Sequence, residues 1–132
     1  MSTKSFLPML LPLFIAIISI SCDDEGNAKP EGSISPIVET ELPDKGTAGQ
    51  EINFFVSRAV FNGCGYYSSQ ETTQIGNILT VTFYAAYREG VCTMNIPVLK
   101  TNYTFTPKNA GTYTFKFNSG ESGYLTRTIV IE

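Results

Sequence analysis

The stretch 78–87, ILTVTFYAAY, decides the fold because its apolar side chains recur at every second position. Leu79, Val81, Phe83 and Ala85 lie on one side of an extended chain, and mainly Thr and Tyr lie on the other. A two-residue period of this kind is typical of a β-strand with one buried face and one solvated face. The stretch therefore predicts a strand on the surface of a hydrophobic core.

The same alternation recurs towards the C-terminus. The segment 113–117 places an aromatic residue at every second position, and in the segment 99–105 Leu99, Tyr103 and Phe105 share one side of the extended chain. Turn residues such as Gly, Asn and Ser separate these runs. They predict two further half-buried strands.

Two other strands are less regular. In the segment 52–60 the predicted buried face is interrupted by Arg58, which indicates a β-bulge near Ser57. The segment 124–132 fits two registers: one buries Leu125, Ile129 and Ile131 with Arg127 on the same face, and the other buries the opposite set. The sequence leaves this register open.

With a short opening strand near residues 36–40, the chain has six or seven strands and no sustained helical period after residue 35. This pattern predicts an all-β fold, a single antiparallel β-sandwich over residues 36–132.

The segment 109–115, NAGTYTF, resembles the tyrosine corner of immunoglobulin-like domains and the corresponding strand of PKD-like modules. The resemblance implies an immunoglobulin-like sandwich in which Gly111 allows a tight corner and the Tyr113 hydroxyl bonds backbone upstream. Phe115 stands where antibody domains place a cysteine, and the chain has no Trp. We therefore expect an aromatic core.

Residues 1–21 are expected to be a signal peptide. A basic residue, Lys4, precedes an apolar run over residues 6–20 that contains Pro8 and Pro12. A transmembrane helix needs about 20 apolar residues, so this run is too short to be a good membrane span.

The four residues Ser19-Ile20-Ser21-Cys22 resemble a bacterial lipobox, although Ser19 stands where a branched aliphatic residue is usual. The resemblance implies lipid attachment at Cys22 and a place in the bacterial outer membrane, with membrane association through the lipid alone. The alternative is ordinary signal cleavage, which Ser19 and Ser21 also fit.

Residues 22–35 are expected to form an acidic, flexible tether, since they contain no apolar cluster. The run Asp23-Asp24-Glu25 resembles the export signal of surface lipoproteins and implies exposure at the cell surface. The alternative is a solvated spacer on a protein that faces the periplasm.

Cys64 and Cys92 are the remaining cysteines. With Cys22 committed to lipid, they are the possible intramolecular pair in an exported chain. We expect a disulfide at one end of the sandwich that ties loop 62–76 to loop 88–93 and contributes about 3.5 kcal/mol. Two free thiols are the alternative.

The composition argues against catalysis. The chain has no His, which removes the usual general base and the commonest metal ligand, so we expect no enzyme, cofactor or metal site. Removal of the expected signal peptide would remove Lys4 and leave 8 basic and 12 acidic residues, a net charge of −4. This balance argues against nucleic-acid binding.

The segment 62–74, NGCGYYSSQETTQ, is the candidate binding loop because its Tyr, Ser and Asn content is favoured in adaptable binding sites. Its candidate contact residues are Tyr66, Tyr67, Ser68 and Gln70. The alternative is that the tyrosines only cover the end of the sandwich.

Together these features predict a monomeric, lipid-anchored, non-catalytic binding or accessory module of the cell envelope, with an unidentified protein or glycan partner. The alternatives are a carbohydrate- or peptide-recognition domain that uses Tyr66 and Tyr67, and a protease inhibitor.

Overall fold

The computed structural model describes residues 32–132, which form nine strands in two packed sheets. The strands are β1 Ser33–Ile34, β2 Ile37–Thr40, β3 Lys45–Gly46, β4 Ile52–Ala59, β5 Gly65–Ile75, β6 Ile78–Tyr87, β7 Val98–Phe105, β8 Gly111–Asn118 and β9 Tyr124–Ile131. A short 3-10 helix, Gly120–Ser122, precedes β9. The predicted all-β sandwich is confirmed.

The larger sheet has six strands in the order β1-β6-β8-β9-β3, with β5 beside β6, and the smaller sheet has the order β2-β4-β7. Two pairings, β3 with β9 and β6 with β8, are parallel, whereas the sequence predicted antiparallel strands throughout. Parallel neighbours need a long crossover. For β6 and β8 the crossover passes through the smaller sheet. The chain leaves β6, forms β7 in the smaller sheet, and returns to the larger sheet as β8.

The sheet also begins earlier than the expected domain start at residue 36. Strand β1 pairs antiparallel with β6, with Ser33 opposite Ala85 and Ile34 opposite Tyr84. The side chain of Ser35 is fully buried. The last residues of the expected tether 22–35 therefore belong to the sandwich, while the expected signal peptide and Cys22 lie outside the described residues.

The core between the sheets is aromatic, as the sequence indicated. Phe115 lies at its centre, with its ring 5.0 Å from that of Phe105 and 6.0 Å from that of Phe54, both edge-on. Edge-to-face pairs each contribute about 0.5–1.5 kcal/mol beyond the burial of area. Thirteen buried residues form this cluster: Ile37, Phe54, Val56, Leu79, Val81, Phe83, Tyr103, Phe105, Tyr113, Phe115, Phe117, Ile129 and Ile131.

The bulge expected in β4 near Ser57 lies instead in the partner strand β2, opposite Ser57 and Arg58. Strand β4 pairs with β7 in continuous register from Ile52 to Ala59, and the irregularity lies in β2, between Ile37 and Glu39. Arg58 remains on the inner face with 2% of its surface exposed. The strand needs no bulge because the structure gives this guanidinium partners inside the sandwich.

The sequence left two registers possible for β9, and the structure has the one that buries Ile129 and Ile131. Ile129 and Ile131 are buried and Leu125 packs against the core. Arg127 lies in the middle of the strand, but its side chain is exposed and its guanidinium donates to the Thr126 carbonyl. Its charge therefore stays in water.

Candidate binding surface at the disulfide end of the sandwich

A disulfide joins Cys64 to Cys92 with their Cα atoms 5.4 Å apart, which confirms the predicted bridge. It ties the segment before β5 to the loop of residues 88–97, which we call the clamped loop. The Gly63 amide also donates to the Thr93 carbonyl at 3.0 Å, and the Arg88 amide donates to the Cys64 carbonyl at 3.1 Å. Covalent and hydrogen bonds thus hold the two segments together.

The segment 62–74 was predicted to be a loop, but most of it forms strand β5. Strand β5 begins at Gly65 and forms a hairpin with β6 that closes at the pair Ile75 and Ile78. The prediction failed because β5 is an edge strand with polar residues on both faces, so the alternation that marks half-buried strands is absent. The dipeptide Gly76-Asn77 between two extended runs was the signal for a hairpin.

Tyr66 and Tyr67 lie at the start of β5, beside the disulfide, with 40% and 42% of their surfaces exposed. The guanidinium carbon of Arg88 lies 5.0 Å from the Tyr66 ring centre, and that of Arg58 lies 5.4 Å from the Tyr67 ring centre. The Tyr67 ring also packs against the Phe83 ring in an edge-to-face arrangement, with ring centres 6.3 Å apart. The rings are therefore held in place and each has one face covered by an arginine.

Ser68 occupies an irregularity of β5, because the register with β6 shifts between Tyr67 and Ser69. Beyond it, Gln70 lies opposite Phe83 and is exposed. Thr72 lies further along, and its hydroxyl is 2.8 Å from the Tyr103 hydroxyl on β7. The structure thus places the four candidate contact residues together on one strand.

The other edge of β5 is open. Among the described strands, β5 pairs with β6 alone. Backbone N–H and C=O groups along a strand edge that no described strand covers form a template on which another extended chain can pair. The open edge and the exposed ring of Tyr66 lie on the same strand.

Arg58 was missed as a site residue because sequence alone treats a charge on an apolar face as an interruption. Its Nε donates to Thr101 Oγ1 at 2.9 Å and its Nη1 donates to Ser35 Oγ at 3.2 Å. Desolvation lowers the pKa of the guanidinium, and the hydroxyls of Tyr67 and Tyr87 act in the opposite direction. Arginine remains charged in proteins, so a cation lies beneath Tyr67.

The tyrosine-corner residues lie at the opposite end of the sandwich. The Tyr113 hydroxyl donates to the Asn109 carbonyl at 2.8 Å, which is the hydrogen bond that the resemblance implies. Gly111 has φ of 146°, a backbone conformation that favours glycine. These residues therefore fix a corner of the fold, away from Tyr66 and Tyr67.

The described residues contain no group of three or more His, Cys, Asp or Glu side chains that could hold a metal ion. The Glu71 carboxylate on β5 accepts a hydrogen bond from the Tyr84 hydroxyl at 3.3 Å. Burial, followed by the proximity of Glu71, raises the pKa of Tyr84. Within residues 32–132, no helix is long and apolar enough to span a membrane.

These features define a small β-sandwich domain with a clamped end and an open edge strand. A family model, described as the ORF11 beta-sandwich domain, matches residues 54–126, which are 73 of the 132 residues. The chain belongs to this family. Both cysteines of the disulfide, Arg58 and the two exposed tyrosines lie within the matched segment. No curated protein and no solved structure matches the chain.

Proposed function

We propose that this chain is a lipid-anchored, non-catalytic binding module of the bacterial envelope, attached to the outer membrane through Cys22 and acting as a monomer. Support for the anchor comes from the lipobox-like residues 19–22 after an apolar run. The acidic run that follows, Asp23-Asp24-Glu25, supports a position at the cell surface. The non-catalytic role rests on the sequence, which has no His.

The observation that carries the binding role is the open edge of β5 beside the ring of Tyr66. A peptide in extended conformation would add to this edge as a further strand, with main-chain hydrogen bonds for affinity and side-chain contacts for specificity. The disulfide and Arg88 hold Tyr66 before the peptide arrives. Such preorganisation lowers the entropy cost of binding.

A peptide is favoured over a carbohydrate as the partner. Sugars stack on open aromatic faces, and here Arg88 covers one face of Tyr66 while Arg58 covers one face of Tyr67. No strand within residues 32–132 pairs with the open edge of β5, and the hydrogen-bonding groups of this edge match those of an extended main chain.

The anchor is tested by comparing wild type with Cys22→Ala in cells, with and without globomycin, an inhibitor of lipoprotein signal cleavage. We expect the wild type in the membrane fraction with an acylated Cys22 in its intact mass. The variant should leave that fraction. An unmodified Cys22, or an unchanged membrane fraction in the variant, would contradict the anchor.

The binding role is tested on peptide and glycan arrays with wild type, Tyr66→Ala and the matched control Tyr124→Ala. Tyr124 is 56% exposed and lies on β9, away from the open edge. We expect peptide signals that Tyr66→Ala loses and Tyr124→Ala keeps. Glycan signals alone, or equal signals from all three proteins, would exclude peptide recognition at β5.

A further inference from the structure

The clamped loop presents three aliphatic side chains to water. Val91 and Met94 are fully exposed, at 105% and 93% of their reference surfaces, and Ile96 is 65% exposed. We call these three residues the apolar tip. Scattered exposed apolar residues are ordinary, whereas several on one loop mark an interaction site.

The loop is fastened to the sandwich at three points around the apolar tip. Cys92 is bonded to Cys64, Thr93 accepts a hydrogen bond from the Gly63 amide, and Pro97 accepts one from the Val60 amide at 3.1 Å. These bonds fall between and after the tip residues. The loop is thus held in a shape that keeps its aliphatic side chains outside the core.

More apolar surface lies at the same end. Phe61 is 56% exposed, and its ring stacks on Tyr87 with centres 6.2 Å apart. Phe61, Ile34 and Val38 line an open groove of about 750 Å³ that is mainly apolar. The apolar tip is therefore part of a wider apolar end of the sandwich.

The N-terminal part of the chain enters the domain at this end. Strand β1 is antiparallel to β6, with Ser33 opposite Ala85. Because the two strands run in opposite directions, the N-terminal end of β1 lies towards Tyr87, the last residue of β6. The clamped loop begins directly after Tyr87. Cys22 precedes Gly32 by ten residues, which span at most about 36 Å when fully extended.

We propose that the apolar tip and the neighbouring Phe61 insert into the interfacial region of a lipid bilayer, so that this end of the sandwich docks on the membrane. The inference rests on the proposed lipid anchor and deepens it. A lipid on Cys22 places the membrane within reach of the end from which the chain enters, and that end carries the exposed aliphatic side chains.

The few charged residues at this end indicate that docking on the bilayer depends on apolar contacts and not on electrostatic attraction. Arg88 and Glu89 begin the clamped loop, and Glu121 lines the groove. These three groups form no basic cluster of the kind that binds anionic lipids. Docking on neutral phosphatidylcholine and phosphatidylethanolamine should therefore persist in about 1 M salt, where the Debye length is about 3 Å.

The test uses the absence of Trp from the chain, which makes an introduced Trp a specific reporter. Met94→Trp places the reporter on the apolar tip. The matched control is Ile75→Trp, because Ile75 is 77% exposed at the far end of the β5–β6 hairpin. Residues 22–132, which include every described residue, are coupled through the Cys22 thiol to a maleimide-headgroup lipid in vesicles that contain brominated phosphatidylcholine.

We expect the emission of the reporter at position 94 to move to shorter wavelength and to be quenched at least about twofold more than that at position 75. Equal, water-like emission from both would overturn membrane docking. It would leave the apolar tip to a protein partner, which pure lipid vesicles lack. Because the anchor is supplied chemically, this outcome is independent of whether cells acylate Cys22.

A second measurement uses the Cys22→Ala form of residues 22–132 without any lipid attached. Val91→Asp/Met94→Asp should reduce partition into the same neutral vesicles at least about tenfold, since it replaces two apolar side chains of the tip with charged ones. Ile75→Asp should leave partition unchanged. Near-ultraviolet circular dichroism verifies that all forms are folded, and equal partition of the three proteins would contradict the proposal.

Discussion

Arg58 Nε donates a hydrogen bond to Thr101 Oγ1 at 2.9 Å, which joins the central strand of the smaller sheet to its edge strand inside the sandwich. Arg58 also donates to Ser35 and lies against the ring of Tyr67. No carboxylate of the described residues forms an ion pair with it. This buried cation is therefore satisfied by two hydroxyls and an aromatic ring.

Thr101→Val should lower the free energy of unfolding by about 1–3 kcal/mol, because the substitution leaves a buried charged donor without its acceptor. Thr112→Val is the matched control at an exposed position of β8, with an expected change within about 0.5 kcal/mol. Chemical denaturation measures both. Adding Arg58→Met should recover part of the loss, since no charge then remains buried; strictly additive effects would contradict this coupling.

The double variant Cys64→Ala/Cys92→Ala should lower the free energy of unfolding by about 3.5 kcal/mol, because the unfolded chain regains the entropy of an open loop. Denaturation with and without a reducing agent measures the effect. Reductant should destabilise the wild type by a similar amount and leave the variant unchanged. Equal stability of wild type and variant would show that the bridge does not restrict the unfolded chain.

Tyr113→Phe should lower the free energy of unfolding by about 1 kcal/mol, because the Asn109 carbonyl loses its donor while the ring still packs in the core. Tyr124→Phe serves as the control, since Tyr124 is exposed. Thermal and chemical denaturation provide the measurement. If both variants match the wild type, the corner hydrogen bond does not stabilise the fold.

The raised pKa of Tyr103 predicts that the free energy of unfolding falls in alkaline solution. Burial raises the pKa of its phenol, while the hydrogen bond with Thr72 acts in the opposite direction. Since the pKa of an unfolded tyrosine is about 10, the stabilising contribution is complete below about pH 10. It is lost as the pH rises through the higher folded pKa.

An ultraviolet titration of phenolate absorbance measures this effect. The folded protein should show tyrosines that ionise later than a free one, and Tyr103→Phe should reduce the amplitude of that late step. The variant should also lose less stability between neutral and alkaline pH than the wild type. The same alkaline titration in both proteins would assign the late step to another group, such as Tyr84, whose pKa is also raised.

Sequence reasoning succeeded where one face of a strand is buried. Strands β6, β7 and β8 alternate between core and solvent, so a two-residue period locates them. Strand β5 lacks this signal because polar residues occupy both of its faces, and it was mistaken for a loop. The tyrosines on it were identified, but their place on an open edge was not.

The parallel pairings and the burial of Arg58 lay beyond the sequence for a related reason. Both depend on contacts between distant parts of the chain: Ser35 is 23 residues from Arg58, and Thr101 is 43 residues away. A residue pattern reports which face of a strand is apolar, and it is silent about which strand lies alongside. Pairing order follows from how the crossovers pass between sheets.

The insertion of β8 beside β6 has a consequence for the order in which the domain assembles. When the chain emerges from its N-terminus, β6 can pair with β5 on one flank and with β1 at Tyr84 and Ala85 on the other. Residues 78–81 of that second flank have no partner until β8, residues 111–118, emerges. Closing such distant segments is slow and leaves sticky intermediates. A chaperone that bound the chain during that interval would reduce its aggregation.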